Sequence, residues 1–251
     1  MTAWPVVSPD RSLPPPQTVR CWRVVVDAID DRVLSALRAI MDEDECARAD
    51  RFVKASDQRS FTSAHAGLRL LLAAALGRDA QAFRFTHGDV GKPMLSDRAV
   101  EFNLSHSGGI VLVALATGIE IGADVEQIRA MRDRPAITRE FLHPGEAADL
   151  ASLPETQAEL AFFRCWARKE AVSKALGLGL SLPLNEFRVS CRPDAPPELL
   201  SLAGDAEPTK NWSLIDLVEP GPSHVGAIAA RHRPLALSCR TLDLATAFAE
   251  G

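Results

Sequence analysis

Read by its hydrophobic periodicity, the chain runs strand, helices, several strands, and then repeats that order. Helices and strands segregated in this way predict an α+β fold. In the first pass, "VRCWRVVVDA" (Val19 to Ala28) is rich in β-branched and aromatic residues and reads as a strand. Helical periodicity follows near Arg32 to Ile40, with Asp30 or Asp31 as its N-cap, and again over Ser56 to Leu76, which Gly77 ends. "AFRFTHGDVGKPML" reads as strand, tight turn and extended segment, and "EFNLSHSGGIVLVALATG" as two strands joined by a Ser/His/Gly turn. In the second pass, the strand "IEIGADVEQI" (Ile119 to Ile128) precedes helical patterns at Pro135 to Phe141, Pro144 to Leu150 and Glu155 to Leu176. "EFRVSC", "WSLIDLV", "HVGAIAAR" and "LALSCRTL" then read as short strands between Pro/Gly-rich turns. The expectation is two α+β lobes of similar plan, each a small antiparallel sheet packed with helices. A proline-rich lead outside the core covers 1–18, the N-terminal lobe 19–118 and the C-terminal lobe 119–245. No repeat is visible at the level of residues.

A chain of 251 residues can give each lobe a core, and 47% hydrophobic with 24% charged residues excludes a disordered polymer. The net charge of -5 supplies no general basic field for nucleic acid or anionic membrane. The longest apolar runs, "LRLLLAAALG" and "IVLVALATGI", fall short of the roughly 20 residues that cross a bilayer. The start of the sequence lacks the basic and apolar regions of a signal peptide, so a cytoplasmic protein is expected. Five scattered cysteines without a CxxC pair read as reduced thiols, not as a disulfide framework or zinc site.

Five constellations carry chemistry. In "GADVE", Asp124 and Glu126 are two apart in a strand and emerge on one face. They are either a solvated strand end or ligands for a hard divalent cation such as Mg2+. In "FFRCWARKEAVSKALGLGL", Trp166, Glu170 and Lys174 are spaced by four and share a helix face, with Lys169 turned about 100° away. Glu170 and Lys174 are either a surface ion pair of about 0.2–0.5 kcal/mol or part of a site. Gly177 and Gly179 end that helix and allow close backbone approach. Lys92 in "GDVGKP" sits on a turn and suits a phosphate contact, while Ser105 and His106 in "FNLSHSGG" offer hydrogen bonds to an anion. A serine-hydrolase reading of Ser105 is rejected, since no G-x-S-x-G elbow surrounds it. Arg48, Arg51, Lys54, Arg59 and Arg69 form either a charged outer helix face or the complement of a polyanion.

Together, "RF" at Arg51, "GKP" at Gly91, "FNLSHS" at Phe102, "GADVE" at Gly122 and "WARKEAVSKALGLGL" at Trp166 resemble the 4'-phosphopantetheinyl transferases of the Sfp-like, single-chain type. The resemblance spans about Val19 to Arg231, with the motifs in order. It implies two pseudo-symmetric α+β lobes and Mg2+-dependent transfer of phosphopantetheine from coenzyme A to a serine of an apo acyl- or peptidyl-carrier protein, releasing adenosine 3',5'-bisphosphate. Asp124, Glu126 and Glu170 match the metal-binding carboxylates, for Mg2+ with Mn2+ as the alternative. Arg51, Lys92, Ser105, His106, Lys169 and Lys174 match coenzyme A contacts. Glu170, as ligand or through a metal-bound water, is expected to remove the serine proton, and Lys174 to face the leaving phosphate; a monomer is expected. Ala123 stands where the family often has isoleucine or valine, and Leu178 where a basic residue is frequent. The run Arg129 to Arg139 is either a docking surface for an acidic carrier or a solvated segment. Two rivals share the carboxylates: a Mg2+ phosphohydrolase with water as nucleophile, and a carrier-binding module without catalysis.

Overall fold

The computed structural model describes residues 4–88, 91–177, 182–202 and 208–250. It is mixed α+β and forms two compact units, each with its own core. The first comprises Met1–Thr86, Met94–Gly118 and Ala236–Gly251; the second comprises His87–Pro93 and Ile119–Leu235.

In the first unit, strand β1 (Thr18–Val25) leads to helices α1 (Asp31–Leu37), α2 (Glu43–Ala49) and α3 (Ala55–Leu76). Asp30 caps α1 by accepting from the Val33 amide, and α3 stops at Gly77, whose φ of 63° closes the helix at little cost to glycine. The short strands β2 (Phe85–His87) and β3 (Pro93–Leu95), whose His87 and Pro93 are counted with the second unit, pair before β4 (Glu101–Ser107) and β5 (Ile110–Ala116). β4 and β5 are joined by Gly108 and Gly109 alone, both at positive φ (53° and 79°), as a two-residue hairpin requires. The expected Ser/His/Gly turn is therefore shorter: Ser105, His106 and Ser107 belong to β4, where alternation buries Ser105 and exposes His106. The apolar run of β5 is buried throughout, and α3 packs against it.

The second unit begins with β6 (Ile121–Gln127), then α4 (Arg134–Phe141), α5 (Pro144–Ala151) and α6 (Glu155–Leu176). β7 (Phe187–Val189) pairs with β8 (Leu199–Leu202), and β9 (Ser213–Asp216) and β10 (His224–Ala230) join β6 in the order β6-β10-β9. Strand β11 (Ala236–Thr241) and helix α7 (Leu244–Glu250) return to the first unit, giving its sheet the order β11-β1-β5-β4.

Two boundaries differ from those expected. β11 lies parallel to β1 instead of completing the C-terminal sheet, and Leu242, Leu244 and Ala247 join the first core. The proline-rich lead is also part of that unit. Pro5 and Trp4 carbonyls accept from the Thr241 amide and hydroxyl, Val6 bridges to Thr241, and Trp4 is buried beneath Arg23. Prolines lack donors but keep acceptors, so such a segment can satisfy the edge of β11 without being a strand.

Setting β11 aside, both units share one topology: a strand, helices ending in a 22-residue helix, a short ribbon, and a hairpin whose second strand lies between the other two. The likeness extends to side chains. Glu45 and Glu146 are the third residues of α2 and α5, each bonding back to its N-cap amide in a capping box. Arg69 and Lys169 occupy the same position along α3 and α6. Arg69 Nε donates to Glu45 at 2.7 Å and Lys169 Nζ to Glu146 at 2.7 Å. Both cations also donate to a phenylalanine carbonyl beyond the helix, Phe83 at 3.2 Å and Phe187 at 2.6 Å. Each pair buries a charge fully enough that losing one partner strands the other, so each pins its long helix to the short helix before it.

Candidate active site

The site is built where α6 crosses β6. Along β6, Ile121, Ala123 and Val125 face one side, while Gly122, Asp124 and Glu126 face the other. A Cβ placed on Gly122 would lie 1.9 Å from the Ala171 carbonyl oxygen and 2.5 Å from the Ala175 nitrogen. Helix and strand backbones therefore touch at Gly122, and only glycine fits. Ala171 and Ala175 keep the helix side of that crossing small. Their neighbours Glu170 and Lys174 are thereby brought against the next residue on the same strand face, Asp124.

Lys174 Nζ lies 2.7 Å from Asp124 Oδ1 and donates to the Ala123 carbonyl at 3.2 Å. Asp124 is only 4% exposed. Burial, then the negative charge of Asp124, raises the Glu170 pKa above its ordinary value, and Lys174 offsets part of that shift. Lys92 joins the same strand: its Nζ donates to the Ile121 carbonyl at 3.0 Å, and its stem lies beside Gly177 at the end of α6. The turn carrying Lys92 is closed by the Gly91 amide donating to Gly88 and the Gly88 amide to Lys92.

Between Ala161 and Ala175, α6 is buried except at Arg164, Trp166, Glu170 and Lys174. The stripe spaced by four is thus the accessible side of a helix otherwise enclosed. Trp166 packs against Phe162 and Phe141, anchoring the start of that stripe. Arg168, one residue before Lys169, holds the helix from its buried side through a two-pronged pair with Asp216 at 2.8 and 2.6 Å.

Of the residues expected to contact coenzyme A, Lys169 is the most enclosed. Lys169 is fully buried, with Glu146 and the Phe187 carbonyl taking its ammonium and the Phe187 ring 4.1 Å away. Burial lowers its pKa, against the opposing pull of Glu146. Its ammonium is thus engaged within the second unit, where it ties α6 to Glu146. Arg51 is exposed just beyond α2, and Ser105 and His106 lie on β4; these three belong to the first unit. Gly179 and Leu178 lie outside the described residues. Gly122, Glu146 and Arg168 were not singled out as building the site. The spacing of Ala171 and Ala175 opposite a strand glycine was the available signal for the crossing.

Among the described residues, no three His, Cys, Asp or Glu side chains are gathered as a metal-holding group. The donors at the crossing are nonetheless all carboxylate oxygens, the kind a hard divalent cation takes, and their mutual repulsion is the kind such a cation relieves. In this arrangement the positive charge beside Asp124 is the Lys174 ammonium. No helix among the described residues is long and apolar enough to cross a membrane.

Two family profiles match successive parts of the chain. One, described as the N-terminal part of 4'-phosphopantetheinyl transferases, covers residues 27–118; the other, the 4'-phosphopantetheinyl transferase superfamily, covers 120–229. The 4'-phosphopantetheinyl transferase HetI of Nostoc sp. is 36% identical over 84% of this chain and 86% of its own length. A putative 4'-phosphopantetheinyl transferase of Synechocystis sp. is 32% identical over 80% of this chain and 79% of its own. The 4'-phosphopantetheinyl transferase Sfp of Bacillus subtilis is 29% identical over 61% and 66%. With both units matched and the crossing of β6 and α6 inside the second match, the chain belongs to the 4'-phosphopantetheinyl transferase superfamily and is a transferase.

Proposed function

We propose that the chain transfers phosphopantetheine from coenzyme A to the serine of an apo acyl- or peptidyl-carrier protein and releases adenosine 3',5'-bisphosphate. The observation that carries this reading is the meeting of Asp124, Glu170 and Lys174 where α6 crosses β6. Asp124, Glu126 and Glu170 would hold Mg2+, or Mn2+ in its place, which when bound would offset the negative charge around the attacked phosphorus. Glu170 takes the proton of the carrier serine. The serine oxygen bonds to the phosphorus that bears the pantetheine arm, and the bond from that phosphorus to the bridging oxygen breaks. Its electron pair departs on the adenosine bisphosphate, where Lys174 faces the growing charge.

Lys92 is the second amine assigned to coenzyme A, its stem fixed beside Gly177. Arg51, His106 and Ser105 are also assigned to coenzyme A, the first two exposed and Ser105 a buried hydroxyl of β4. Positioning and charge stabilisation account for the rate, with no covalent enzyme intermediate. The chain works as a cytoplasmic monomer, and the basic run ending in α4 receives an acidic carrier. The test is an intact-mass measurement of apo carriers incubated with coenzyme A, Mg2+ and either the wild type or Glu170→Gln. Loss of transfer by the variant with an unchanged circular dichroism spectrum is expected. Turnover like the wild type's would remove Glu170 from the role of base.

A further inference from the structure

The two amines assigned to phosphate are both held by β6 itself. Lys92 donates to the Ile121 carbonyl, and Lys174 to the Ala123 carbonyl and the Asp124 carboxylate. The Asp124 side chain is 5% exposed and that of Lys174 27% exposed, so the carboxylate is enclosed while its lysine partner reaches solvent. Any cation approaching Asp124 meets a positive charge already in contact with an oxygen it needs. We propose that Lys174 is an internal counter-ion that closes Asp124 to divalent metal until a phosphate group draws the ammonium away.

The inference rests on Asp124 being a metal ligand, as proposed above. Its physics follows from burial: a carboxylate this enclosed must keep a counter-charge, and it can exchange one for another but not lose both. The lysine stem has four rotatable carbons, so its ammonium can swing from carboxylate to phosphate without moving α6. Once it swings, Asp124 and Glu170 are left as two like charges at one crossing, which a divalent cation relieves. Coupling of this kind is reciprocal: a phosphate-bearing ligand strengthens metal binding by the factor with which the metal strengthens that ligand's binding. Metal and substrate are therefore taken up together, and neither binds well alone.

The test is binding of Mn2+ alone, followed by its electron paramagnetic resonance, to the full chain without coenzyme A. Lys174→Met, which leaves Asp124 without its counter-ion, is expected to bind Mn2+ about tenfold more tightly than the wild type. Asp124→Asn is expected to weaken binding in both backgrounds. Adenosine 3',5'-bisphosphate, after allowance for the Mn2+ it binds in solution, is expected to tighten the wild type more than Lys174→Met. Equal or weaker Mn2+ binding by Lys174→Met, with the wild type binding and Asp124→Asn impaired, would overturn the counter-ion role and leave the metal site standing. Absence of Mn2+ binding by every protein, with and without the nucleotide, would overturn the metal-site reading and this inference with it. Lys174→Gln provides the same comparison if circular dichroism shows that the methionine variant does not fold.

Discussion

Replacing Gly122 by alanine adds a single methyl group, yet places it 1.9 Å from a backbone oxygen of α6. Ordinary carbon contacts begin near 3.5 Å, so α6 and β6 must part by about 1.5 Å. Neither obstructing atom belongs to a flexible side chain: both are backbone, in a helix pinned elsewhere by Arg168 to Asp216 and Lys169 to Glu146. The cost belongs at the upper end of over-packing, about 3 kcal/mol. The same shift carries Glu170 and Lys174 away from Asp124, and misplacement on the scale of 1 Å costs about 100-fold in rate. Urea unfolding followed by circular dichroism reads the stability, and intact-mass kinetics with an apo carrier reads the rate at a denaturant-free temperature where the variant is folded. Gly145→Ala provides the contrast. Its Cβ would meet only the Arg188 side chain at 2.8 Å, which can swing aside, so a loss below about 1 kcal/mol is expected. If Gly122→Ala retained both the stability and the turnover of the wild type, the backbone crossing would not be what positions the site.

Lys169→Met leaves Glu146 buried without its counter-charge and is expected to cost about 3–5 kcal/mol in urea unfolding; a Lys169→Met, Glu146→Leu double variant is expected to recover much of this. Arg51→Ala, at an exposed position, is expected to raise KM for coenzyme A about tenfold in steady-state kinetics while leaving the unfolding midpoint unchanged. Burial alone would raise Glu45, but its hydrogen bond and charge contact with His65, with Arg69 beside them, bring its pKa below the ordinary value. With the folded value below the unfolded one, the stabilisation is complete above about pH 4.5 and is lost as the pH falls through the folded value. Urea midpoints measured downward from pH 7 are therefore expected to fall less steeply for Glu45→Gln than for the wild type in that acid range.

Local signals carried much of this structure. Helices α3 and α6 were legible because a long period of 3.6 ends at Gly77 and Gly177, both in the left-handed conformation that glycine adopts freely. The pairing of β11 with β1 was not legible, since a six-residue strand pattern does not state which edge it will meet. Helices α2 and α7 span only seven residues each and show little periodicity; the capping box at Asp42 and Glu45, and Asp243 accepting from the Ala245 amide, were their signals. At the site, the spacing of Trp166, Glu170 and Lys174 separated them correctly from Lys169. It did not say which side was accessible, because α6 is enclosed on nearly every side and lacks the polar face that would orient it. The Ser/His/Gly turn is shorter than its polar residues suggest because Ser105, His106 and Ser107 continue β4 up to Gly108, with Ser105 and His106 on opposite faces.

One apo carrier protein and coenzyme A can be followed together, by intact mass for the carrier and chromatography for the nucleotide, with Mg2+ and then with a chelator in its place. The carrier is expected to gain the mass of one phosphopantetheine per serine, adenosine 3',5'-bisphosphate to appear in equal amount, and both to stop with the chelator. Nucleotide or phosphate release without any gain of mass on a panel of apo carriers would contradict the proposed transfer and show water, not a carrier serine, to be the nucleophile.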